Sequence, residues 1–186
     1  MMTLARCFRV SVWGLVLSAR AFAQSEPPHT MPPALLQNRD DVVAFVSRTL
    51  SCWEKNDRTA FLDAFAEDAV FLYPGGQAKK PELGALFADL QARKTDVKVY
   101  IGPFIVLGNE FVVQYQFACT DRKSGKRQAV GTGVRGRLRN GKIVVFKEYW
   151  DDHIAEEQMR GELPLDEGLP VTPSPHSVMM TPKRIN

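Results

Sequence analysis

Glu148 is the residue whose setting speaks most directly of chemistry. It lies in the run Asn140–His153, NGKIVVFKEYWDDH. Asn140-Gly141 tolerates the positive φ values that a two-residue hairpin turn needs. The β-branched and aromatic run behind it reads as a strand. Side chains alternate along a strand, so Val144, Phe146, Glu148 and Trp150 share one face. Ile143, Val145, Lys147, Tyr149 and Asp151 share the other. If the first face points inward, one carboxyl stands between two aromatics. Desolvation disfavours the charged form of such a group and raises its pKa. A carboxyl tuned in this way serves as general acid or base near neutral pH. The competing reading leaves Glu148 in water, or pairs it with Arg135 or Lys147 as part of a structural ion pair.

Asp151, Asp152 and His153 form a second cluster, from which Asp151 and His153 join Glu148 as catalytic candidates. Two carboxylates and an imidazole can orient a water. Adjacent residues of an extended strand face opposite ways, so the three do not converge on one ion and no metal is expected. Their ordinary use is to end a strand and cap a helical turn. Tyr73, Tyr115, Trp53 and Trp150 either donate hydrogen bonds into a pocket or pack as core aromatics. The chain has no nucleophile elbow, phosphate loop, zinc spacing or dinucleotide fingerprint, and no cofactor is expected.

These residues need elements to hold them. From Asp40 the period is helical: Val42, Val43, Val46, Leu50 and Trp53 fall on one face. Asn38 or Asp40 can cap the start, and the helix should end near Asn56. Asp57 caps a short second helix with Phe61, Leu62 and Phe65 as its apolar stripe. Ala69–Tyr73 reads as a short strand closed by Pro74-Gly75-Gly76. Pro81 suits the first position of a third helix that runs to about Arg93.

Only strands follow. Val97–Leu107 is long, with a kink or bulge expected at Gly102-Pro103. Phe111–Cys119 and Gln128–Leu138 alternate cleanly, the latter setting Val130, Thr132, Val134 and Leu138 against Arg135 and Arg137. With Gln114 and Gln116, those arginines make an outer face that is either solvated or a dimer surface. After His153 one helical turn is expected. Segregated helices and a twisted antiparallel meander define an α+β fold, with the helices on one side of the sheet.

The ends read differently. Arg6 and Arg9, the apolar Val10–Leu17 and the small-x-small Ala21-Phe22-Ala23 read as a secretory leader, residues 1–23, cleaved after Ala23; the alternative is an uncleaved membrane anchor. Its apolar run is too short to span a bilayer, and no other run is long enough, so no membrane contact is expected after cleavage. The product would be secreted or periplasmic. Residues 24–37 are a Pro-rich lead-in, 38–157 the domain, and 158–186 a Pro-rich tail that is ordered only if it wraps over the domain or a partner. The 24 basic residues less the leader's Arg6, Arg9 and Arg20 leave 21, against 21 acidic ones. A net charge of zero gives no electrostatic case for a nucleic acid partner. Cys52 and Cys119 remain after the leader, either as one disulfide or as two buried thiols.

Several stretches together resemble the SnoaL-like branch of the nuclear-transport-factor-2-like (NTF2-like) superfamily. They are Trp53 with Asp57, Phe61 through Phe71 (FLDAFAEDAVF), Pro74-Gly75-Gly76, and Gly141-Lys142-Ile143 leading to Glu148-Tyr149-Trp150-Asp151. The resemblance covers about residues 38 to 155. It implies an α+β cone in which three N-terminal helices pack on a strongly curved, mostly antiparallel sheet, a pocket between them, and homodimers formed through sheet surfaces. In such a cone, Trp53, Phe61, Phe65, Tyr73 and Tyr115 would line the pocket, together with Phe117, Val134, Phe146 and Trp150.

The resemblance also excludes one mechanism. Ketosteroid isomerases of this superfamily set a general base at the position of Tyr73, an oxyanion-hole tyrosine at that of Thr49, and an acid near Val134. All three lack the required chemistry. Three readings stand: an exported, cofactor-independent isomerase, cyclase or lyase that acts on a small, largely apolar molecule through Glu148; a non-catalytic periplasmic accessory module that binds a ligand in the cone or a partner on the sheet face; or a structural dimer domain whose cone is filled by side chains.

Overall fold

Three helices come early in the described chain, four long strands follow, and a fourth helix comes after them. The computed structural model describes residues 38–168. In order these form α1 (Arg39–Lys55), α2 (Arg58–Asp63), β1 (Phe65–Tyr73), β2 (Gly76–Lys79), α3 (Lys80–Arg93), β3 (Lys94–Leu107), β4 (Glu110–Asp121), β5 (Arg127–Arg139), β6 (Lys142–Tyr149) and α4 (Asp152–Arg160). The expected leader, the lead-in and the tail beyond residue 168 lie outside the described residues. Among the described residues no helix is long and apolar enough to cross a membrane.

Local chemistry sets the helix ends. Asn38 caps α1 by accepting from the Asp41 amide at 2.9 Å, which satisfies one of the orphan donors of the first turn. Asn56 stops the helix in the left-handed conformation, φ 52. Asp57 then caps α2 by accepting from Ala60 N. In α3, Glu82 reaches back to the Lys79 amide and Pro81 sits in the first turn.

The six strands form one sheet in the order β2-β1-β6-β5-β4-β3. β1 runs parallel to β6; every other pair is antiparallel. At the β5–β6 turn Asn140 has φ 51 and Gly141 φ 72, the pair of positive values that a mirror-image turn requires. The register of β3 against β4 shifts between Ile101 and Phe104, where Gly102-Pro103 interrupts the ladder. The helices lie on the concave side of this curled sheet, which makes the α+β cone.

Five details differ from the sequence expectation. Phe65 is not on a helical stripe: α2 stops at Asp63, and Phe65 opens β1 opposite Ile143. Sheet pairing overrides the short helical spacing there. Gly76–Lys79, after the Pro74-Gly75 turn, form a further strand, β2, which pairs back on β1. In β6 the strict alternation fails at its start. Leu138 pairs with Ile143 but Arg137 with Val145, so Val144 is an extra, bulged residue. The bulge turns Ile143 inward on the same side as Phe146, and both are buried. The single turn after His153 is a nine-residue helix, α4.

The fifth difference concerns the outer face of β4. Gln116 and Ala118 are fully buried there. Residues 161–168 fold back over them: Gln116 donates to the Asp166 carbonyl at 3.0 Å and accepts from the Gly168 amide at 2.8 Å. Arg127 bonds Glu167 beside this segment. Residues 161–168, within the stretch read as a tail, thus wrap over the domain.

Candidate functional site

The site is built on the inner faces of β4, β5 and β6. Tyr115 of β4 stands opposite Thr132 of β5, and Val134 of β5 opposite Glu148 of β6. Tyr115 is fully buried, and its long side chain crosses β5 so that its hydroxyl donates to Glu148 Oε1. Tyr115 is the hydrogen-bond partner that Glu148 has among the described residues, and no arginine or lysine pairs with it there. Burial raises the Glu148 carboxyl above its ordinary 4.5, and the Tyr115 hydrogen bond pulls weakly the other way. The same burial, with the carboxyl beside it, pushes the Tyr115 phenol well above 10, so this phenol is a donor and not a base.

Glu148 faces a cavity of about 530 Å³, a size suited to a small molecule. Its apolar wall comes from every layer. Trp53 of α1, Phe61 of α2 and Leu86 and Leu90 of α3 line the helical side. Phe71 and Tyr73 of β1, Phe117 of β4 and Trp150 line the sheet side. Trp53 stacks on Phe87 with centroids 4.3 Å apart and meets Phe61 at 4.7 Å, while Phe117 meets Trp150 edge-on at 5.9 Å. These contacts fix the rings from both sides. The fourth helix contributes Ala155, Glu156 and Met159 and covers one flank.

The expected residues divide between cavity and core. Trp53, Phe61, Tyr73, Tyr115, Phe117, Glu148 and Trp150 line the cavity. Phe65, Val134 and Phe146 do not: each is buried in the core behind it, where Phe146 stacks on Phe71 at 4.9 Å. Asp151 and His153 do not converge on Glu148 from within this cavity. Asp151 is the N-cap of α4 and accepts from the His153 amide. His153 is exposed, with Nε2 2.9 Å from Glu157. Asp151 does line a smaller groove beside the cavity, between the ends of β1 and β6, which Glu148, Tyr73 and Trp150 also border. Thr49 bonds its own helix through the Phe45 carbonyl.

Sequence reasoning missed four wall residues of the sheet and its approach that carry polar groups: Arg93, Lys94, Cys119 and Gln128. Lys94 lies between the expected end of the third helix at Arg93 and the expected start of the strand at Val97, and β3 begins with it. Cys52 and Cys119 are free thiols, on α1 and β4. Burial pushes both up, with Lys94 and Arg127 drawing Cys119 part of the way back. The wall from α4 was missed as well. Its signal is legible in retrospect: an Asp151 cap, buried Ala155 and Gln158 three apart, and Gly161 in the left-handed C-cap.

A cone of this kind, with its pocket between helices and curled sheet, is the NTF2-like architecture. The chain belongs to the SnoaL-like domain family, whose model matches residues 46–146. No curated protein sequence matches it. Among solved structures it is similar to a protein of ketosteroid-isomerase-like fold from Catenulispora acidiphila in complex with trimethylamine, at 18% identity over 66% of this chain and 95% of that one, TM-score 0.59. A second is an epoxide hydrolase from M. tuberculosis, at 16% identity over 64% and 90%, TM-score 0.57. A third is IdmH of Streptomyces antibioticus, provisionally assigned as a polyketide cyclase, at 14% identity over 63% and 97%, TM-score 0.57. At these identities the likeness establishes the fold, and the reaction has to be argued from the site.

Proposed function

We propose that this protein is a cofactor-independent isomerase, cyclase or lyase that moves a proton on a small, largely apolar molecule, with Glu148 as general acid and base. The observation that carries this reading is the Glu148 carboxyl on the wall of an apolar cavity, bonded by a phenol and paired with no cation among the described residues. A structural acid in such a place normally has a basic partner. Without one, burial makes this carboxyl hold a proton more readily than an exposed one, which suits it to both take and return a proton.

In the forward step a C–H bond beside a carbonyl breaks. The proton goes to a Glu148 oxygen and the electron pair moves into the carbonyl as an enolate. Return of the proton at another carbon completes an isomerisation. Tyr115, which stays protonated, holds the carboxyl in place and can turn its donor toward the developing oxyanion. Asp151 and His153 act in this proposal as the cap and first turn of α4, outside the proton transfer.

The test is solvent-deuterium incorporation into a panel of short-chain ketones and enones by the purified protein. The expected result is exchange above background for the wild type, lost in Glu148→Gln with the fold retained by circular dichroism. Exchange that continues in Glu148→Gln removes this residue from the mechanism. A wild type inert across the panel, with a small molecule retained in native mass spectrometry, supports the accessory-module reading instead.

Two further parts of the proposal concern where and how the protein works. Cleavage after Ala23 makes Gln24 the first residue of the exported form, which N-terminal sequencing reads directly. A homodimer through the outer sheet face is supported by Ile105, Leu107, Val112 and Tyr149, large apolar side chains left exposed.

A further inference from the structure

The cavity has a second polar end. Cys119, Gln128 and Lys94 line it, and none of them belongs to the Tyr115–Glu148 pair. Tyr115 and Cys119 are four residues apart on one face of β4, about 13 Å along the strand. Phe117 stands between them, meeting Trp53 edge-on on one side and Trp150 on the other. The two polar ends are thus separated by an aromatic midsection.

Lys94 and Gln128 are built into this wall. Gln128 is 4% exposed and the Lys94 side chain 14%. Lys94 Nζ donates to Asp121 Oδ2 at 3.2 Å and, more weakly, to Gln128 Oε1 at 3.4 Å. An ammonium has three donors, so one remains. Asp121 is shared, its other oxygen accepting from the Ser124 amide and hydroxyl. The acids that α4 adds to the cavity are engaged elsewhere. Asp152 accepts from Trp150 Nε1 at 2.8 Å, and Glu156 faces Arg160 at 3.9 Å. Arg93 lies on the same wall and holds Asp89. A partly buried ammonium with a spare donor gains most from an anionic oxygen, because charge-assisted hydrogen bonds are the strong ones.

We propose that the substrate is an amphipathic monocarboxylate whose carboxylate binds Lys94 and Gln128. Its apolar body lies along Phe117 and Trp53, and its far end reaches Glu148. The last part rests on the acid–base reading of Glu148. The carboxylate subsite does not, since binding alone tests it.

The experiment is calorimetric titration of the purified protein with octanoate and with octan-1-ol, probes of equal chain length that differ in the charged group. Octanoate is expected to bind about tenfold more tightly, the effect of one charge-assisted bond. Lys94→Met should bring the two ligands to equal affinity. Should this variant not fold, because Asp121 loses its cation, Lys94→Met with Asp121→Asn replaces it. Octan-1-ol bound as tightly as octanoate, no octanoate binding at all, or a preference that survives the loss of Lys94 overturns the proposal. Octanoate binding that depends on Lys94 while deuterium exchange ignores Glu148 keeps the subsite and removes the acid–base reading; the opposite pattern does the reverse.

Discussion

The Tyr115 hydroxyl and the Glu148 carboxyl meet across β5, and the residues beneath them bear on what that contact costs. Thr132, directly opposite Tyr115, has a buried hydroxyl oxygen with no partner among the described residues. An unpaired buried hydroxyl costs free energy that an apolar group of the same shape does not. Thr132→Val should therefore stabilise the fold by about 1–2 kcal/mol in urea unfolding. Glu148 gives a second prediction, and its sign follows from the raised pKa. The folded protein holds the Glu148 proton more tightly than the unfolded chain, so this residue's contribution to stability falls as pH rises from the ordinary 4.5 through the raised folded value. Glu148→Gln, which keeps an acceptor for Tyr115, escapes that loss. Its Tm should match the wild type's in acid and exceed it at neutral pH. A gap that is constant with pH would show that Glu148 is not desolvated.

Elements hold these side chains through a few specific contacts. The free edge of β5 beyond β6 is met by one side chain: Gln158 of α4 accepts from the Ala129 amide at 2.8 Å and donates to its carbonyl at 2.9 Å, as a neighbouring strand would. Gln158→Leu leaves both groups buried and unpaired. The expected loss is about 2–3 kcal/mol, together with faster amide exchange across α4. Gly136 allows another close approach, since an added Cβ there would lie 2.1 Å from the Phe111 ring. Gly136→Ala should cost about 1–3 kcal/mol through forced repacking of β4 on β5.

These contacts also show why part of the design was legible in the sequence and part was not. The Asn38 cap, the Asn140-Gly141 turn and the alternation that puts Glu148 inward are local, and local chemistry determines them. Phe65, by contrast, has helical spacing from Phe61 and is won by β6, a partner 78 positions away at Ile143. The Val144 bulge depends on the register of two strands together. Lys94 and Gln128 are ordinary polar residues until tertiary packing brings the start of β3 and the start of β5 to the β4 wall of one cavity.

At the scale of the whole molecule, the segments that follow the last strand cover the sheet from two sides: α4 flanks the cavity, and residues 161–168 lie on the outer face. Residues 161–168 bury Gln116, and Glu167 receives hydrogen bonds from Arg127 and Tyr100, which hold its carboxyl below the ordinary range. Truncation after Arg160 should expose Gln116, strip Arg127 of this partner and lower Tm by several degrees, while leaving β1–β6 paired. An unchanged Tm would show that the wrap adds nothing to the fold. Function in this cone turns on the state of one carboxyl on the cavity wall. A pH titration by NMR of protein labelled with ¹³C at the glutamate carboxyl carbons, with Glu148→Gln to assign the signal, measures it directly. Glu148 is expected to titrate with a midpoint above the ordinary 4.5, moved higher still by Tyr115→Phe, which removes the donor that favours the charged form. A midpoint at or below 4.5, or one that Tyr115→Phe lowers, would contradict it.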